Sequence, residues 1–363
     1  MKILLISYLD RPVTSRVTAA RPRLVYDIAT RLVRHGHAVS LLGTGDSRIP
    51  GVKVIPVIPK ALHRMGAFEN PFYTHTLLLS KMVHMLEGIG DRFDVIHNHC
   101  RPETLNLLAS DHIRTPIVTT LHNEITSRRD EVFSLFTKAY FVGISKAQKR
   151  LAGKTRIFRV VYNGVDPSIF RYREKKGDYL LWIGRLSKAR GAHGDFMDPK
   201  GVRWAIRLAR ETGLRLVLSG NVEDPEFFDK DVKPFLGAKI RWVGPVGPEQ
   251  PLSKREVADL MGRARAFLMT PNLFEPFGLV VAESMSCGTP VITFDRGGPS
   301  EIVKDGVTGF VVSPRAGVRG LAAACAKIDE IDPAACRARV EKYFTLDRMV
   351  EAYERVYREL PPK

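Results

Sequence analysis

Short, continuously apolar segments rich in valine and isoleucine recur along the chain, separated by longer stretches with helical periodicity. In the first half they cover residues 3–8, 38–42, 52–58, 93–97, 117–121, 139–144 and 157–162. In the second half they cover residues 179–183, 215–218, 240–243, 266–269, 290–294 and 309–312. A strand that is buried on both faces is apolar throughout, so this alternation is typical of parallel sheets covered by helices. The chain is predicted to be an α/β protein.

One break interrupts the alternation. The turn sequence Asn163-Gly164-Val165-Asp166-Pro167 and the charged stretch that follows it, up to Asp178, are typical of a linker. Each half then forms its own sheet. Because open parallel sheets bind ligands beyond the carboxyl ends of their strands, two sheets that face a cleft can hold two substrates. Helices are predicted over residues 22–34 (capped by Gly36), 202–210 and, with a strongly apolar face, 344–360.

The positive charge of the chain is concentrated in its first half. The net charge is +17, and residues 1–165 hold 24 Lys and Arg against 12 Asp and Glu, with nine of the ten histidines. Such a surface favours an anionic partner: a lipid phosphate, a membrane surface, a phosphorylated acceptor or nucleic acid. A basic but merely solvated surface is the alternative.

Cysteine usage and hydropathy favour a cytoplasmic location, with membrane association as an addition. The four cysteines have no CxxC spacing, which argues against a zinc ribbon or a disulfide framework and fits a reducing compartment. The apolar run after Met1 ends by Asp10, too early for a signal peptide. No stretch approaches the ~20 apolar residues that span a bilayer.

The segment that carries the most chemistry is residues 269–283. A strand ends near Met269, the residue before a proline is pushed out of the helical region at Glu275, and a helix begins at Leu279 after Gly278. Free backbone N–H groups at that helix start form an anion site, with Glu283 in about the second turn of the helix. The two glutamates also fit a glycosidase pair, which needs roughly 5–10 Å between carboxyl groups, or acceptors for sugar hydroxyls, or a capped helix with a surface glutamate. Dinucleotide, P-loop and nucleophile-elbow fingerprints are absent from the sequence.

The run E-P-F-G-L-V-V-A-E-S-M-S-C-G-T-P-V-I (275–292) resembles the E-x7-E signature of the family 4 retaining glycosyltransferases. Other segments agree in order: G-H-A-V (36–39), D-V-I-H (94–97), T-L-H-N (120–123), G-I-S (143–145), N-G-V-D (163–166), G-R-L (184–186), and G-G-P-S-E-I-V with G-x-T-G-F (297–310). The resemblance covers nearly the whole chain. It implies the GT-B fold: a Rossmann-like acceptor domain of residues 1–165 plus 345–363, a Rossmann-like donor domain of residues 166–344, sheets facing an interdomain cleft, and a final helix that crosses back.

The resemblance also implies a donor site. Glu275 would bind hydroxyls of the donor sugar, Arg185 would neutralise the diphosphate leaving group, and His122 would lie near the sugar. The other donor-binding residues implied are Phe277, Gly278, Leu279, Glu283 (through the ribose), Val243, Gly244, Val246 and Gly220. Most stabilisation would fall on the departing diphosphate, and no protein nucleophile is needed.

A second basic residue usually follows the G-R-L arginine closely in this family, but here residues 187–199 intervene. Lys188, Arg190 and Lys200 are candidates, and Lys200 is favoured because Lys200-Gly201 immediately precedes a helix. The additional residues form either a longer lid over the phosphate or an inert insertion.

The glycine pair that the family has near its N-terminus aligns with Ala19-Ala20. Alanine resists positive φ, which puts the usual backbone contact to phosphate in doubt. Arg16, Arg21 and Arg23 are nearby cations that can compensate, or they are arginines on a helix surface. His97 is added to this acceptor and phosphate region because it ends a strand at the cleft; a structural histidine with satisfied hydrogen bonds is the alternative.

No metal or other cofactor is expected. Asp229-Lys230-Asp231 matches the D-x-D metal pattern but lies in a charged stretch with helical character, and His97-Asn98-His99 has no evident third ligand. The predicted function is retaining transfer of a sugar from a nucleotide-diphosphate sugar, with a UDP-sugar favoured and GDP-mannose next, to an acceptor hydroxyl. An anionic or lipid-linked acceptor and peripheral membrane contact through the basic half are expected.

Two alternatives remain at this stage. One is a disaccharide phosphorylase or synthase on the same fold. The other is a basic nucleic-acid-binding protein, which needs a basic stripe with stacking aromatics. Only Phe68, Phe72 and Tyr73 stand near a few basic residues, so nucleic acid is not the expected partner.

Overall fold

The computed structural model describes residues 1–17, 19–66, 70–103, 107–246 and 252–362; Phe68 lies outside these residues. The strands are β1 (Lys2–Ile6), β2 (Ala38–Thr44), β3 (Lys53–Ile58), β4 (Val95–Asn98), β5 (Ile117–Leu121), β6 (Tyr140–Gly143), β7 (Ile157–Val160), β8 (Tyr179–Leu186), β9 (Arg215–Val222), β10 (Ile240–Val243), β11 (Ala266–Met269), β12 (Val291–Phe294) and β13 (Gly309–Val312). Every predicted strand therefore has a counterpart.

The α-helices among the described residues are α1 (Ala20–Arg34), α2 (Pro71–Ile89), α3 (Ser127–Phe133), α4 (Lys146–Arg150), α5 (Val202–Thr212), α6 (Pro225–Asp231), α7 (Lys254–Arg263), α8 (Leu279–Ser286), α9 (Pro299–Ile302), α10 (Gly317–Ala326), α11 (Pro333–Tyr343) and α12 (Leu346–Arg358). Short 3-10 turns cover Leu62–Arg64, Gly90–Arg92, Leu108–Asp111, Lys233–Phe235, Pro314–Ala316 and Ile328–Glu330. None of these helices is both long and apolar enough to cross a membrane.

The chain divides into two compact units. The first contains Met1–Val161 and Met349–Lys363, and the second contains Tyr162–Arg348. Each unit is built on one parallel sheet with helices on most connections between successive strands, which confirms the predicted α/β class with two Rossmann-like domains.

The sheet of the first unit has the order β3-β2-β1-β4-β5-β6-β7. The chain leaves β1 toward one edge, through β2 and β3, and then returns to continue on the other side from β4. Ile3 is paired with Val39 on one side and with Val95 on the other. The point between β1 and β4 is therefore a topological switch, the place where open parallel sheets bind ligands.

The sheet of the second unit repeats this plan with the order β10-β9-β8-β11-β12-β13. Its switch point lies between β8 and β11, which are paired through Leu180 with Ala266 and Leu181 with Phe267. Trp182 and Phe267 are fully buried, as the continuous apolar runs predicted. The carboxyl ends of β8 and β11 carry the G-R-L arginine and the loop that leads to Glu275, so the fold places both at the switch point of this unit.

The helix ends show where the sequence predictions were slightly displaced. Helix α1 begins at Ala20, two residues earlier than predicted, and His35 is its C-cap, while Gly36 follows with φ 83°. Glycine suits that left-handed position after the cap. The predicted apolar face of the last helix is buried, with Val350, Tyr353 and Val356 at most 2% exposed.

Two glycines with the same backbone conformation allow a stability test of the loop before α5. Gly201 has φ 77°, and a Cβ built on it would lie 1.6 Å from the carbonyl oxygen of Thr270. Gly194 has φ 78° but open space around that position. We expect Gly194→Ala to cost about 1–2 kcal/mol from its positive φ alone. Gly201→Ala should cost about 3–5 kcal/mol because the clash adds to it. Denaturant unfolding of both variants checks this, and equal losses would contradict the packing described here.

Candidate functional site

The carboxyl end of β8 begins the candidate site of the second unit. Arg185, its penultimate residue, is exposed and pairs with Glu223 at 3.4 Å between guanidinium and carboxylate. Gly220 of β9 lies beside Gly184, with which it is paired in the sheet. The guanidinium predicted to face a leaving group is therefore at the surface, at the edge where the carboxyl ends of the strands lie.

Lys200 and Glu275 form an ion pair in which the lysine Nζ donates to Oε2 of the glutamate. The pair is partly buried: about a third of the Lys200 side chain and 16% of the Glu275 side chain are exposed. Among the candidates Lys188, Arg190 and Lys200, the structure thus joins Lys200 to the predicted sugar-binding carboxylate.

Asp198 positions Lys200. Its carboxylate accepts backbone N–H groups from Gly201 and Val202 through Oδ1, at 2.8 and 3.0 Å, and from Arg203 through Oδ2, at 2.9 Å. Burial raises the pKa of Asp198, although the three N–H groups oppose that rise. These bonds tie the start of α5 to the Asp198 side chain. Because Lys200 directly precedes Gly201, they also fix the backbone position of Lys200.

The loop after β11 is tied to the same segment. Asn272 donates from Nδ2 to the carbonyl of Asp198 at 2.7 Å and accepts from Trp204 Nε1 at 2.7 Å. The hydroxyl of Thr270 donates to the carbonyl of Gly201 at 2.8 Å. The loops that carry Lys200 and Glu275 consequently form one hydrogen-bonded structure.

The backbone of Glu275 is held on its other side by the loop after β12. Its N–H donates to the carbonyl of Arg296 at 3.0 Å, and its carbonyl accepts from Gly298 N–H at 2.8 Å. These two bonds form an isolated parallel bridge between residue 275 and residue 297. The side-chain direction of Glu275 is thereby determined by backbone pairing.

Helix α8 begins directly after this loop, as predicted. Gly278 is its N-cap with φ 88°, a conformation that favours glycine, and Phe277 before it is buried. The first N–H groups of a helix have no partner within it, so those of Leu279 and its successor are available to an anion. Glu283 is half-buried on the same helix.

The predicted nucleobase segment follows β10. Ser219 Oγ donates to the carbonyl of Val243 at 2.7 Å, which fixes the end of that strand against β9. Gly244 has φ 108°, and the side chain of Val246 is exposed. The segment lies at the same edge of the sheet as Arg185 and Gly220.

The residues added between Arg185 and Lys200 form a small hairpin, with an antiparallel bridge between Arg190 and Phe196. Arg190 pairs with Asp224, at 2.5 Å, and its guanidinium lies 4.0 Å from the ring centroid of Phe196. Phe196 in turn stacks on Phe227 at 5.5 Å. Arg190 therefore holds the hairpin against the start of α6.

In the first unit, two predicted residues belong to a buried histidine cluster at the ends of β4 and β5. His97 Nδ1 is 2.7 Å from the Tyr357 hydroxyl and its Nε2 is 2.8 Å from the Thr120 hydroxyl. His99 Nδ1 is 2.9 Å from His122 Nε2. Burial is the main cause that lowers the pKa of all three rings; the other two histidines contribute at His97, and Arg21 contributes at His99 and His122.

His99 had no assigned role in the sequence. Its signal was the spacing H-x-H, since residues two apart at a strand end share one face. Its partner His122 is distant in sequence, and only the pairing of β4 with β5 brings the two together.

Arg21 is the arginine whose charge acts on these histidines. It pairs with Glu103 at 3.8 Å and donates to the Cys100 carbonyl at 3.4 Å, and its charge helps to lower the pKa of His99 and His122. Arg16 is exposed, so of the nearby arginines Arg21 acts on the cluster most directly.

The alanines that replace the family's glycine pair have ordinary backbone conformations. Ala19 is the N-cap of α1 with φ −62° and ψ 128°, and Ala20 is the first helical residue. Arg23 is used in structure here: it pairs with Asp27 at 3.1 Å and donates to the Ser15 carbonyl.

The D-x-D residues are engaged in ion pairs. Asp229 pairs with Lys233 at 3.0 Å and Asp231 with Arg203 at 2.7 Å. Within the described residues, no group of three or more His, Cys, Asp or Glu side chains is arranged to hold a metal ion.

Comparison with known proteins identifies the family. Residues 177–330 match the model of the glycosyl transferases group 1, and residues 22–169 match that of glycosyltransferase family 4. The chain belongs to the family 4, group 1 glycosyltransferases. This glycosyltransferase is 28% identical to the glycogen synthase of Mycobacterium tuberculosis over 386 aligned positions, which cover 93% of the chain and 88% of that protein.

Solved structures share the fold of this glycosyltransferase. Sucrose-phosphate synthase from Thermosynechococcus elongatus superposes with a TM-score of 0.74 at 19% identity, over 99% of this chain and 98% of that one. Anabaena Alr3699/HepE in complex with UDP superposes with a TM-score of 0.70 at 18% identity, over 99% and 100%. These similarities confirm the predicted GT-B fold.

The two lysines that flank the hairpin provide a matched test of the cationic residue. We expect Lys200→Met to lower the rate of glycosyl transfer by about 100-fold or more, the scale on which preorganised groups stabilise developing negative charge. Lys188→Met should stay within about threefold of the parent, because the structure joins Lys200 and not Lys188 to Glu275. Initial rates at saturating donor measure both. A larger loss in Lys188→Met than in Lys200→Met would reverse the assignment.

Proposed function

We propose that this glycosyltransferase transfers a sugar from a nucleotide-diphosphate sugar to an acceptor hydroxyl, with retention of configuration at the anomeric carbon. A UDP-sugar is the favoured donor and GDP-mannose the next. The observation that carries the proposal is the Lys200–Glu275 pair beside the N-terminus of α8, on loops that follow the switch-point strands β8 and β11.

The chemistry of these groups suits a nucleotide-sugar donor. Lys200 and Arg185 supply positive charge, and the first N–H groups of α8 supply donors, which together stabilise a departing diphosphate. Glu275 has one oxygen engaged by Lys200, and its Oε1 has no partner among the residues that the structure describes. That oxygen is available to accept hydrogen bonds from sugar hydroxyls.

The comparisons support the choice of nucleotide. Alr3699/HepE has been solved with UDP and with UDP-glucose, and it shares the fold of this chain. In the proposed arrangement the segment from Val243 to Val246 borders the base, Gly220 and the 277–279 backbone border the phosphates, and Glu283 accepts from the ribose.

A synthase acting on a saccharide acceptor is the second candidate. It is favoured by the names of the relatives, which include a glycogen synthase and a sucrose synthase from Denitrovibrio acetiphilus. Both candidates use the same donor site, so acceptor trials with disaccharides, glucans and lipid-linked sugars distinguish them. A phosphorylase would instead require free phosphate in place of the nucleotide.

One variant distinguishes the residues that bind the nucleotide from those that bind the sugar. Among UDP, GDP, ADP and TDP, UDP should raise the melting temperature most, because a ligand that binds the native state stabilises it. Glu275→Ala should keep that shift in melting temperature but lose sugar transfer.

The parent enzyme should form a product with the donor's anomeric configuration, and EDTA should not reduce its rate.

Glu211→Ala is the control, because Glu211 pairs with the exposed Arg207 on α5. It should retain transfer. Undiminished transfer by Glu275→Ala would remove Glu275 from the site, and rate loss in EDTA that Mg²⁺ restores would return the D-x-D residues to consideration.

We also propose an anionic or lipid-linked acceptor, with peripheral contact between the first unit and a membrane surface. Three large apolar side chains stand exposed on the first turns of α2: Phe72 (82%), Tyr73 (61%) and Leu77 (53%). Exposed aromatic and apolar side chains suit the interface of a bilayer. The net positive charge of residues 1–165 supplies the electrostatic attraction.

Vesicle sedimentation tests the contact. Phe72→Ser combined with Tyr73→Ser should weaken binding to vesicles that contain anionic lipid by about tenfold or more, since each ring contributes burial of apolar surface. The control is Leu135→Ser, which changes an equally exposed leucine (73%) outside α2. Equal binding of both variants, or no binding of the parent protein, would rule this contact out.

A further inference from the structure

His99 lies between two other histidines of the first unit and is itself fully buried. Its ring centroid is 4.0 Å from that of His97, and its Nδ1 is 2.9 Å from Nε2 of His122. His97 is fixed on both nitrogens by Tyr357 and Thr120. The His99 ring is therefore confined between a fixed neighbour and His122.

Both members of the His99–His122 pair are neutral near physiological pH. Burial, followed by the charge of Arg21, lowers the pKa of His99 to about 3, and the same causes lower the pKa of His122 well below its ordinary value. Two neutral imidazoles at hydrogen-bond distance share a single proton between the facing nitrogens. Either His99 donates it from Nδ1, or His122 donates it from Nε2.

The other nitrogen of His99 decides between these arrangements. His99 Nε2 is buried and has no hydrogen-bond partner among the described residues. If His122 were the donor, His99 would carry its own proton on Nε2, as an orphaned N–H. Buried N–H groups without a partner are rarer than under-satisfied acceptors.

We propose that His99 donates from Nδ1 to His122 Nε2, and so holds His122 in the tautomer whose proton is on Nδ1. No partner for His122 Nδ1 occurs among the described residues. His122 then presents a hydrogen-bond donor to an incoming ligand. It binds an oxygen of the acceptor and does not remove a proton. His99 is a positioning residue that acts through His122.

The tautomer is independent of the proposed function, whereas the ligand oxygen rests on it. The first measurement is therefore made on the ligand-free enzyme labelled with ¹⁵N-histidine. Long-range ¹H–¹⁵N spectra show which ring nitrogen carries the proton. The signals of the pair are identified by their loss in His122→Gln and in His99→Asn. We expect a protonated Nδ1 and a bare Nε2 on His122; the reverse pattern would overturn the inference.

Two substitutions at position 99 extend the test to turnover. Asn places an amide N–H close to the position of the histidine Nδ1, so His99→Asn should keep the His122 tautomer and a kcat within about threefold of the parent. His99→Phe removes the donor, so the tautomer should change or become mixed. Its kcat should fall about tenfold at unchanged KM for the donor, the effect of one lost hydrogen bond.

The outcomes separate the two proposals. If His99→Phe leaves both the His122 tautomer and kcat unchanged, the positioning role of His99 is refuted, while the proposed glycosyl transfer stays supported. The expected tautomer in the parent, together with no transfer from any nucleotide sugar, would instead refute the proposed function and leave the His99–His122 assignment supported.

Discussion

The buried carboxylate of Asp198 determines how the second unit presents its charged residues. It accepts three backbone N–H groups at the start of α5, and its own carbonyl accepts from Asn272 in the loop after β11. Two loops that leave different strands are joined through this residue and through the hydrogen bond from Thr270 to the Gly201 carbonyl. Lys200 and Glu275 lie on those loops, so their ion pair is set by the backbone around it and does not depend on two flexible side chains meeting in solvent.

The two units use different kinds of groups at their switch points. The second unit relies on backbone: a left-handed Gly278, a helix start, and the bridge that holds Glu275 to the loop after β12. The first unit relies on buried side chains, three histidines with Tyr353, Tyr357 and Thr120. Backbone sites impose glycine and proline at fixed spacing, whereas a side-chain cluster leaves only isolated polar residues in the sequence.

That difference explains what could be predicted. Every strand could be placed, because continuous apolar runs report burial on both faces. The start of α8 could be placed because Pro276 and Gly278 restrict the backbone locally. The Lys200–Glu275 contact and the role of Asp198 could not be deduced, since they depend on which strands are neighbours in the sheet. Lys200 could only be favoured over Lys188 and Arg190 by its place before a helix. The stacking of Phe196 on Phe227, which anchors Arg190, has no local signature at all.

The end of the chain completes the histidine cluster of the first unit. Tyr353 and Tyr357, four residues apart on α12, have fully buried rings whose hydroxyls bond to Thr120 and His97. A buried hydroxyl without a partner is costly, so these bonds fix the register of α12 on its sheet as firmly as its apolar face does. Glu354, between them, accepts from His35 and His37, at 2.9 and 2.8 Å. Because His97 supports His99, and His99 bonds to His122, the orientation of His122 depends on residues more than two hundred positions further along the chain. The last helix therefore helps to orient His122, although none of its residues belongs to a recognisable motif.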